Sequence, residues 1–293
     1  MKSCEICDSN DWEIAYQGPI RLGEINNISR DDYTVYRCKN CTVQWLPNLI
    51  SKKNHYYESD EYRNTVGESC NIKDYEKKHD GEIQFQFELY PLPLYRDKVI
   101  ADIGCGGGLF LDSVKGFAKK TIAVEPNNQL LVQLHDKGHQ CFSNIEELLN
   151  SNDNGVDLIV SHSVIEHVSH PVNFVESLKK AVRNNGTLIV STPNAQDFLL
   201  TNGPSEYKMF FYRMVHEWYF NEKSLEIALK RVGFSEIQIK YQHMYSLTNA
   251  LLWMRDKKGY GRLDILNDES CNFMWKQFLM KTGQAERLVC IAS

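Results

Sequence analysis

A doubly wound α/β sheet with a small metal-binding module ahead of it is the fold class this chain predicts, on three observations. From residue 99 onward, short apolar runs of strand character alternate with segments of helical periodicity. The first run closes on a glycine-rich turn that opens into a helix, 99-VIADIGCGGGLFLDSV-114. Ahead of these, four of the nine cysteines stand as two CxxC pairs.

The pairs are Cys4 with Cys7, in 4-CEIC-7, and Cys38 with Cys41, in 37-RCKNC-41. A two-residue gap lets both thiolates of a turn face one ion, and two such turns complete a tetrahedral four-thiolate site. Structural zinc is the reading; unrelated buried thiols and a redox pair are the alternatives, the latter leaving one pair unexplained. A closed site has no position for substrate, so zinc would hold residues 1–50 together, with strands at 12–16 and 33–38, and perform no chemistry. Residues 51–98 read as a connector and N-terminal helical cap, polar at first, then an irregular helix from residue 72 broken by Pro91 and Pro93.

The main domain spans 99–293. Strands are expected at 99–103, 120–125, 140–142, 156–160 and 187–192. Helices are expected at 106–117, 127–137, 145–150 and 171–182, the last opened by Pro171 in its first turn. An aromatic-rich insertion at 194–220 interrupts the alternation. A helix at 221–234 follows, capped by Asn221 and ended by Gly233, then a strand at 235–243, helices at 247–258 and 264–280, and a closing strand at 286–292.

The glycine turn lets a ligand approach the backbone at the carboxyl end of a strand, and Glu125, one β-α-β unit later, is placed to accept hydrogen bonds from ribose hydroxyls. The bland alternative is a tight strand-to-helix connection. No Lys-Ser or Lys-Thr pair follows the glycines, so this is no Walker loop, and an acid before the first glycine departs from the dinucleotide fingerprint. Asp102 beside the turn would repel a pyrophosphate but hold a cationic amino-acid group. An uncharged or zwitterionic nucleoside ligand fits best.

With 24% charged residues, 42% hydrophobic residues and a net charge of −5, the basic side chains are scattered and offer no field for a polyanion, so no nucleic-acid partner is expected. No apolar run reaches transmembrane length and the first residues lack signal-peptide character, so no membrane insertion is expected and the cytosol is the expected compartment.

These pieces resemble the class I S-adenosylmethionine-dependent methyltransferases over roughly residues 80–293, through 102-DIGCGGG-108, 124-VEP-126, 157-DLIVSHSVIEHVSHP-171 and 186-GTLIVSTPN-194. The resemblance implies a seven-stranded Rossmann-like methyltransferase sheet and S-adenosyl-L-methionine as cofactor. It also implies that Asp102, Gly104, Cys105 and Gly106 face the methionine portion, that Glu125 holds the ribose and that Pro126 lies near adenine. Ser143 and Asn144 would then read the adenine edge, and His162 would border the methyl-transfer face. The cysteine pattern ahead of this core is similar to the zinc-containing sugar methyltransferases. That similarity implies a small-molecule acceptor, a sugar hydroxyl or amine on a nucleotide-linked sugar or glycan precursor. In 212-YRMVHEWYFNEKSL-225, His216 and Tyr219 match the signature of the C-methylating members, while Val215 replaces their Glu, which favours O- or N-transfer.

A histidine of near-neutral pKa suits removal of a hydroxyl proton, and His216 and His162 are the candidates. Tyr57 and Tyr62 from the connector, with Phe211, Tyr212, Glu217 and Tyr219 from the insertion, are candidates for covering the acceptor; packing is the alternative for all of them. Glu166 and His167 read as local backbone partners. Two other functions fit: methylation of a non-sugar metabolite, and a non-catalytic zinc-containing protein or RNA interaction module.

Overall fold

The apolar runs become a central sheet in the structure, a computed structural model that describes residues 2–151, 155–261, 263–266 and 268–293. The N-terminal segment forms β1 (Trp12–Gly18), β2 (Tyr33–Cys38) and β3 (Gln44–Trp45), followed by helices α1 (Lys53–Glu58), α2 (Glu61–Val66) and α3 (Ile72–Leu89). The alternating region runs β4 (Val99–Ile103), α4 (Leu109–Val114), β5 (Lys120–Val124), α5 (Asn128–Asp136), β6 (Gln140–Phe142), α6 (Ile145–Asn150), β7 (Val156–His162), α7 (Pro171–Ala181) and β8 (Val182–Pro193). The insertion supplies α8 (Phe198–Asn202), α9 (Ser205–Phe211) and β9 (Trp218–Tyr219). The chain closes with α10 (Glu222–Arg231), β10 (Ile237–Gln242), α11 (Leu247–Asp256), α12 (Glu269–Lys281) and β11 (Arg287–Ala292).

Seven strands pair in the order β10-β11-β8-β7-β4-β5-β6. The five from β8 to β6 are parallel, and β11 runs antiparallel to both β8 and β10. The parallel strands are buried on both faces because they carry near-continuous Val, Ile, Leu and Ala; all five residues of β4 are buried. Chain order reverses between β4 and β7, and the crevice beyond their carboxyl ends is where open sheets of this kind bind ligands.

Helix starts follow their caps. Asn127 accepts from the Leu130 N–H at the head of α5, Asn221 forms a capping box with Ser224 on α10, and Pro171 opens α7. The helix expected from 106 begins only at Leu109, since Gly104, Gly106 and Gly108 adopt φ of 74°, 55° and 75° and keep the turn open. The strand expected over 187–192 extends to 182–193.

A second sheet has the order β1-β2-β3-β9, so its fourth strand comes from the insertion rather than from the N-terminal segment. Gln44 pairs with Tyr219 and Trp45 with Trp218. Around this seam the Leu46 N–H donates to the Glu217 carbonyl at 2.9 Å, Tyr212 Oη to Gln44 Oε1 at 2.7 Å and Asn221 Nδ2 to Thr42 Oγ1 at 2.7 Å. Tilted Trp12–Trp45 and Trp45–Trp218 pairs at 5.8 and 6.3 Å fill it. Among the described residues no helix is long and apolar enough to cross a membrane.

Candidate active site

A cleft of about 980 Å³ opens over the carboxyl ends of β4, β5 and β7, roofed by side chains of α1, α2 and α3. Asp102, Gly104, Cys105, Glu125, Pro126, Ser143, Asn144 and His162 line it. Gly106 contributes a backbone N–H that donates to Glu125 Oε2 at 2.8 Å, while the Asn127 N–H donates to Oε1 at 3.1 Å. Arg63, from α2, brings a guanidinium nitrogen 3.7 Å from Oε2. Burial raises the Glu125 pKa, and Arg63 and the two N–H donors oppose the rise. A Cβ at Gly106 would stand 2.5 Å from Tyr75 Oη, so only glycine fits beneath the cap. Ser143 Oγ donates to Glu147 Oε1 and Asn144 Oδ1 caps α6, so these two reach the cleft with polar atoms already engaged.

Asp102 is buried, and burial together with the nearby Glu125 pushes its carboxyl up to about 8. In the ligand-free protein at pH 7 this acid is mostly protonated. A cationic group bound beside it favours the ionised form, so binding expels a proton, and affinity for a cationic cofactor rises between pH 6 and 8 and then levels off. Calorimetry of S-adenosylmethionine binding in phosphate and in Tris at pH 7 should therefore give enthalpies that differ by the buffers' ionisation heats. Equal enthalpies would remove this role.

The other end of the cleft gathers side chains from three separated segments. Tyr57 and Tyr62 come from α1 and α2, Glu166 and His167 from the turn after β7, and Arg213 and His216 from the insertion. The His167 and His216 rings meet edge to face at 4.7 Å, and both tyrosine rings meet His167 within 6 Å. His167 Nδ1 lies 2.9 Å from the Val215 carbonyl, so it is the protonated nitrogen, and Nε2 keeps its lone pair. His216 Nδ1 and Glu166 Oε1 are buried without partners, while Glu166 Oε2 accepts from Thr192 Oγ1 at 3.0 Å. Burial, reinforced by Arg213, holds His167 down to about 3 and His216 well below the usual imidazole range; burial lifts Glu166 to about 7. The near-neutral His216 expected from sequence is thus replaced by an imidazole pair that burial holds neutral in the ligand-free cleft, beside a carboxyl poised near neutrality. Glu166, His167 and His216 also bring ligand atoms within 4.8 Å of one another. The positive charge of Arg213, Arg21 and Arg287 acting on His216 opposes a cation there, so the cluster is read as a proton-handling group.

His162 lies in a separate setting. Its Nδ1 is 2.7 Å from Ser191 Oγ, its ring stacks on Tyr90 and meets Phe110 edge-on, and burial lowers its pKa to about 3. Phe211, Tyr212 and Tyr219 do not line the cleft. They pack with Tyr16, Tyr207 and Trp253 into a hydrophobic cluster that the insertion shares with the N-terminal sheet, where β9 pairs with β3. Glu217 is also drawn away from the cleft surface: its carboxylate accepts from Lys53 Nζ at 2.7 Å and Ser169 Oγ at 3.2 Å. Sequence reasoning missed Glu166, His167, Arg63, Arg213 and Arg287 as cleft residues. Glu166 and His167 stood inside a quoted motif, while the arginines carried no spacing signal.

The four cysteines converge. Cys4 Sγ lies 3.5 Å from Cys41 Sγ and Cys7 Sγ 3.5 Å from Cys38 Sγ, with all four sulfurs within 4.8 Å of one another. Zn–S bonds of about 2.3 Å imply sulfur–sulfur edges of about 3.8 Å, so the donor set fits a tetrahedral thiophilic ion.

The sequence model of a methyltransferase domain matches residues 77–239, more than half of the chain. The mitochondrial ubiquinone biosynthesis O-methyltransferase of Dictyostelium discoideum is 32% identical over 158 residues, covering 46% of this chain and 49% of that protein. The tRNA U34 carboxymethyltransferase of Pseudoalteromonas translucida (strain TAC 125) is 26% identical over 160 residues, covering 50% and 47%. The chain thus spans about half the length of these curated relatives. In fold it is similar to the crystal structure of a SAM-dependent methyltransferase from Archaeoglobus fulgidus, with a TM-score of 0.52 and 16% identity over 74% of this chain and 97% of that one. With the family match over more than half its length, on a seven-stranded sheet that carries the glycine turn and Glu125, the chain belongs to the methyltransferase-domain family.

Proposed function

We propose that the chain transfers the methyl group of S-adenosylmethionine to a hydroxyl oxygen of a small acceptor held at the Glu166–His167–His216 cluster. The carrying observation is the neutral imidazole pair, with unprotonated nitrogen at the end of the cleft away from Glu125. Asp102, Gly104, Cys105 and Gly106 receive the methionine portion, and Glu125 takes the ribose hydroxyls, with Pro126, Ser143 and Asn144 toward adenine. Bound there, the cofactor supplies an electrophilic methyl group. The Glu166–His167–His216 cluster would take up the acceptor's hydroxyl proton when that methyl group is transferred. Glu166 compensates the charge so formed. Tyr57 and Tyr62 provide apolar ring faces for the acceptor.

A sugar hydroxyl on a nucleotide-linked sugar or glycan precursor is the acceptor we favour, supported by the cysteine module and by a cleft of small-molecule size in a chain of net charge −5. A hydroxyl is preferred over an amine because a resident proton acceptor serves an alcohol, whereas a neutral amine attacks without one. A phenolic hydroxyl is the second reading, supported by the identity to ubiquinone O-methyltransferases. Mass spectrometry of nucleotide-linked sugars and phenols incubated with enzyme and cofactor separates the two by which one gains the mass of a methylene. The cysteine cluster holds structural zinc in this reading.

Replacing His216 with Ala should lower turnover by about 10²- to 10⁴-fold and leave cofactor affinity unchanged. Turnover of the unaltered enzyme should rise with pH through about 7, as Glu166 ionises, and Glu166→Gln should flatten that rise. Full turnover in His216→Ala would sink the assignment.

A further inference from the structure

Two guanidinium groups, Arg213 and Arg287, line the acceptor end of the cleft near the buried Glu166, whose pKa both pull down without forming an ion pair with it. Arg21 lies outside that lining, beside Arg213 along a backbone bridge. The last two are tied backbone to backbone: the Arg21 N–H donates to the Tyr212 carbonyl and the Met214 N–H to the Arg21 carbonyl, both at 2.9 Å. Arg21 is 9% exposed, with its guanidinium 4.3 Å from the Phe210 ring centre. The Nε atoms of Arg21 and Arg213 are both buried without a hydrogen-bond partner. Arg287 donates only to hydroxyls, to Ser163 Oγ at 2.7 Å and Ser191 Oγ at 3.4 Å. Among the described residues none of the three forms an ion pair with a carboxylate.

Elsewhere the chain pairs its half-buried cations. Arg63 meets Glu68 and Glu125, Lys53 meets Glu217, and Lys137 meets Asp112 and Glu76. Taking a cation out of water without a counter-charge costs several kcal/mol (roughly, after relaxation), and two adjacent ones repel as well. Burial and the charge of Arg213 hold Arg21 down to about 9. Such an arrangement persists where a bound anion completes it. A guanidinium fork matches a carboxylate or phosphate bidentately, and unpaired Nε–H groups are part of that fork.

We infer that Arg213, backed by Arg21 and flanked by Arg287, forms an oxyanion subsite that holds a carboxylate or phosphate group carried by the acceptor. The inference rests on the reading that the acceptor lies beside His216. Arg213 stands three residues before His216, and the His216 N–H donates to the Arg213 carbonyl at 3.1 Å, so an anion on this fork is held at a fixed offset from the proton acceptor. Arg63 reaches the glycine turn assigned to the methionine portion, 3.5 Å from where a Cβ on Gly106 would stand, and so serves the cofactor's carboxylate separately from this subsite. It divides hydroxyl-bearing acceptors by charge: an anionic acceptor gains the fork, and a neutral one of the same shape leaves Arg213 and Arg287 with Glu166 as the one nearby acid among the described residues.

The test uses the full chain saturated with S-adenosylhomocysteine, titrated calorimetrically with inorganic pyrophosphate, inorganic phosphate and benzoate. At least one oxyanion should bind, more weakly as salt rises. Arg213→Gln should weaken it by roughly tenfold or more with unchanged S-adenosylhomocysteine affinity. Preference for a phosphate probe marks a phosphorylated acceptor, and preference for benzoate a carboxylated one. Because the substitution removes a half-buried cation that has no ion-pair partner, the melting temperature of Arg213→Gln should not fall; a purely structural arginine would lower it. Arg213→Lys keeps the charge, loses the fork and should bind several-fold more weakly. Absence of binding by all three probes, or equal affinity in both variants, overturns the subsite. The proton-transfer reading fails separately, in the turnover of His216→Ala, since anion binding to the loaded protein involves no methyl transfer.

Discussion

Replacing Glu125 with Ala should weaken S-adenosylmethionine binding by roughly a hundredfold or more, measured by calorimetry on the purified chain. Each hydrogen bond to a buried carboxylate contributes about 1.5–3 kcal/mol, and about 1.4 kcal/mol is a factor of ten, so losing two ribose contacts reaches that range. The site amplifies the loss. The Gly106 and Asn127 N–H groups that now donate to this carboxylate would be left without it, and Arg63 would lose the acid that draws it over the pocket. Gly106 belongs to the turn that receives the methionine portion, so both ends of the cofactor feel one substitution. Glu125→Gln is the sharper control. It preserves volume and one acceptor oxygen but removes the charge, and should fall between the two. Affinity unchanged in Glu125→Ala would remove the ribose role.

The half of the cleft that we assign to the cofactor could be read from the sequence as a local strand–turn–acid unit because its parts are close in the chain. An apolar strand, three left-handed glycines and an acid at the next strand end lie within one β-α-β unit, and each follows from short-range stereochemistry. Pro171 and Asn221 marked their helix starts for the same reason. The acceptor half was not legible from spacing. Tyr57, Glu166, Arg213 and His216 are brought together only by the cap folding down and the insertion folding back, and no periodicity links them. The aromatic run of the insertion misled in an instructive way. Phe211, Tyr212 and Tyr219 are large and apolar enough to cover a ligand, but a two-residue strand has no pattern to reveal its pairing. Its partner, β3, lies some 170 residues earlier and turns those rings into the protein. His167 was assigned a backbone role, and its Nδ1–H does bond a carbonyl; that bond is what fixes its other nitrogen in the accepting form.

Stripping the metal from the cysteine cluster should abolish acceptor turnover while leaving cofactor binding nearly intact, although the cysteines touch neither ligand. The route is the shared sheet. Cys38 ends β2 and Cys41 lies three residues before β3, so an ion held by these thiolates would fix the hairpin that presents β3 to β9. On the far side of that seam the Glu217 and Trp218 N–H groups donate to the Glu166 carbonyl at 2.8 and 3.1 Å, and His216 directly precedes them. Loosening β3 therefore frees Glu166, His216 and Arg213 together, whereas Asp102 and Glu125 sit on strands of the other sheet. Four-thiolate zinc sites contribute folding free energy outright, on the order of 10 kcal/mol in small isolated modules. Even a third of that, at about 2–4 °C per kcal/mol for a chain of this size, predicts a fall in melting temperature on the order of 10 °C. A chromogenic zinc assay on the denatured protein should return one zinc per chain. Cys38→Ser and chelator-treated protein should share the lowered melting temperature, near-normal S-adenosylmethionine affinity and lost turnover. Cofactor affinity and turnover falling in parallel would mean instead that the metal holds up the whole fold, and unchanged turnover in the metal-free chain would sever the cysteine module from the acceptor site.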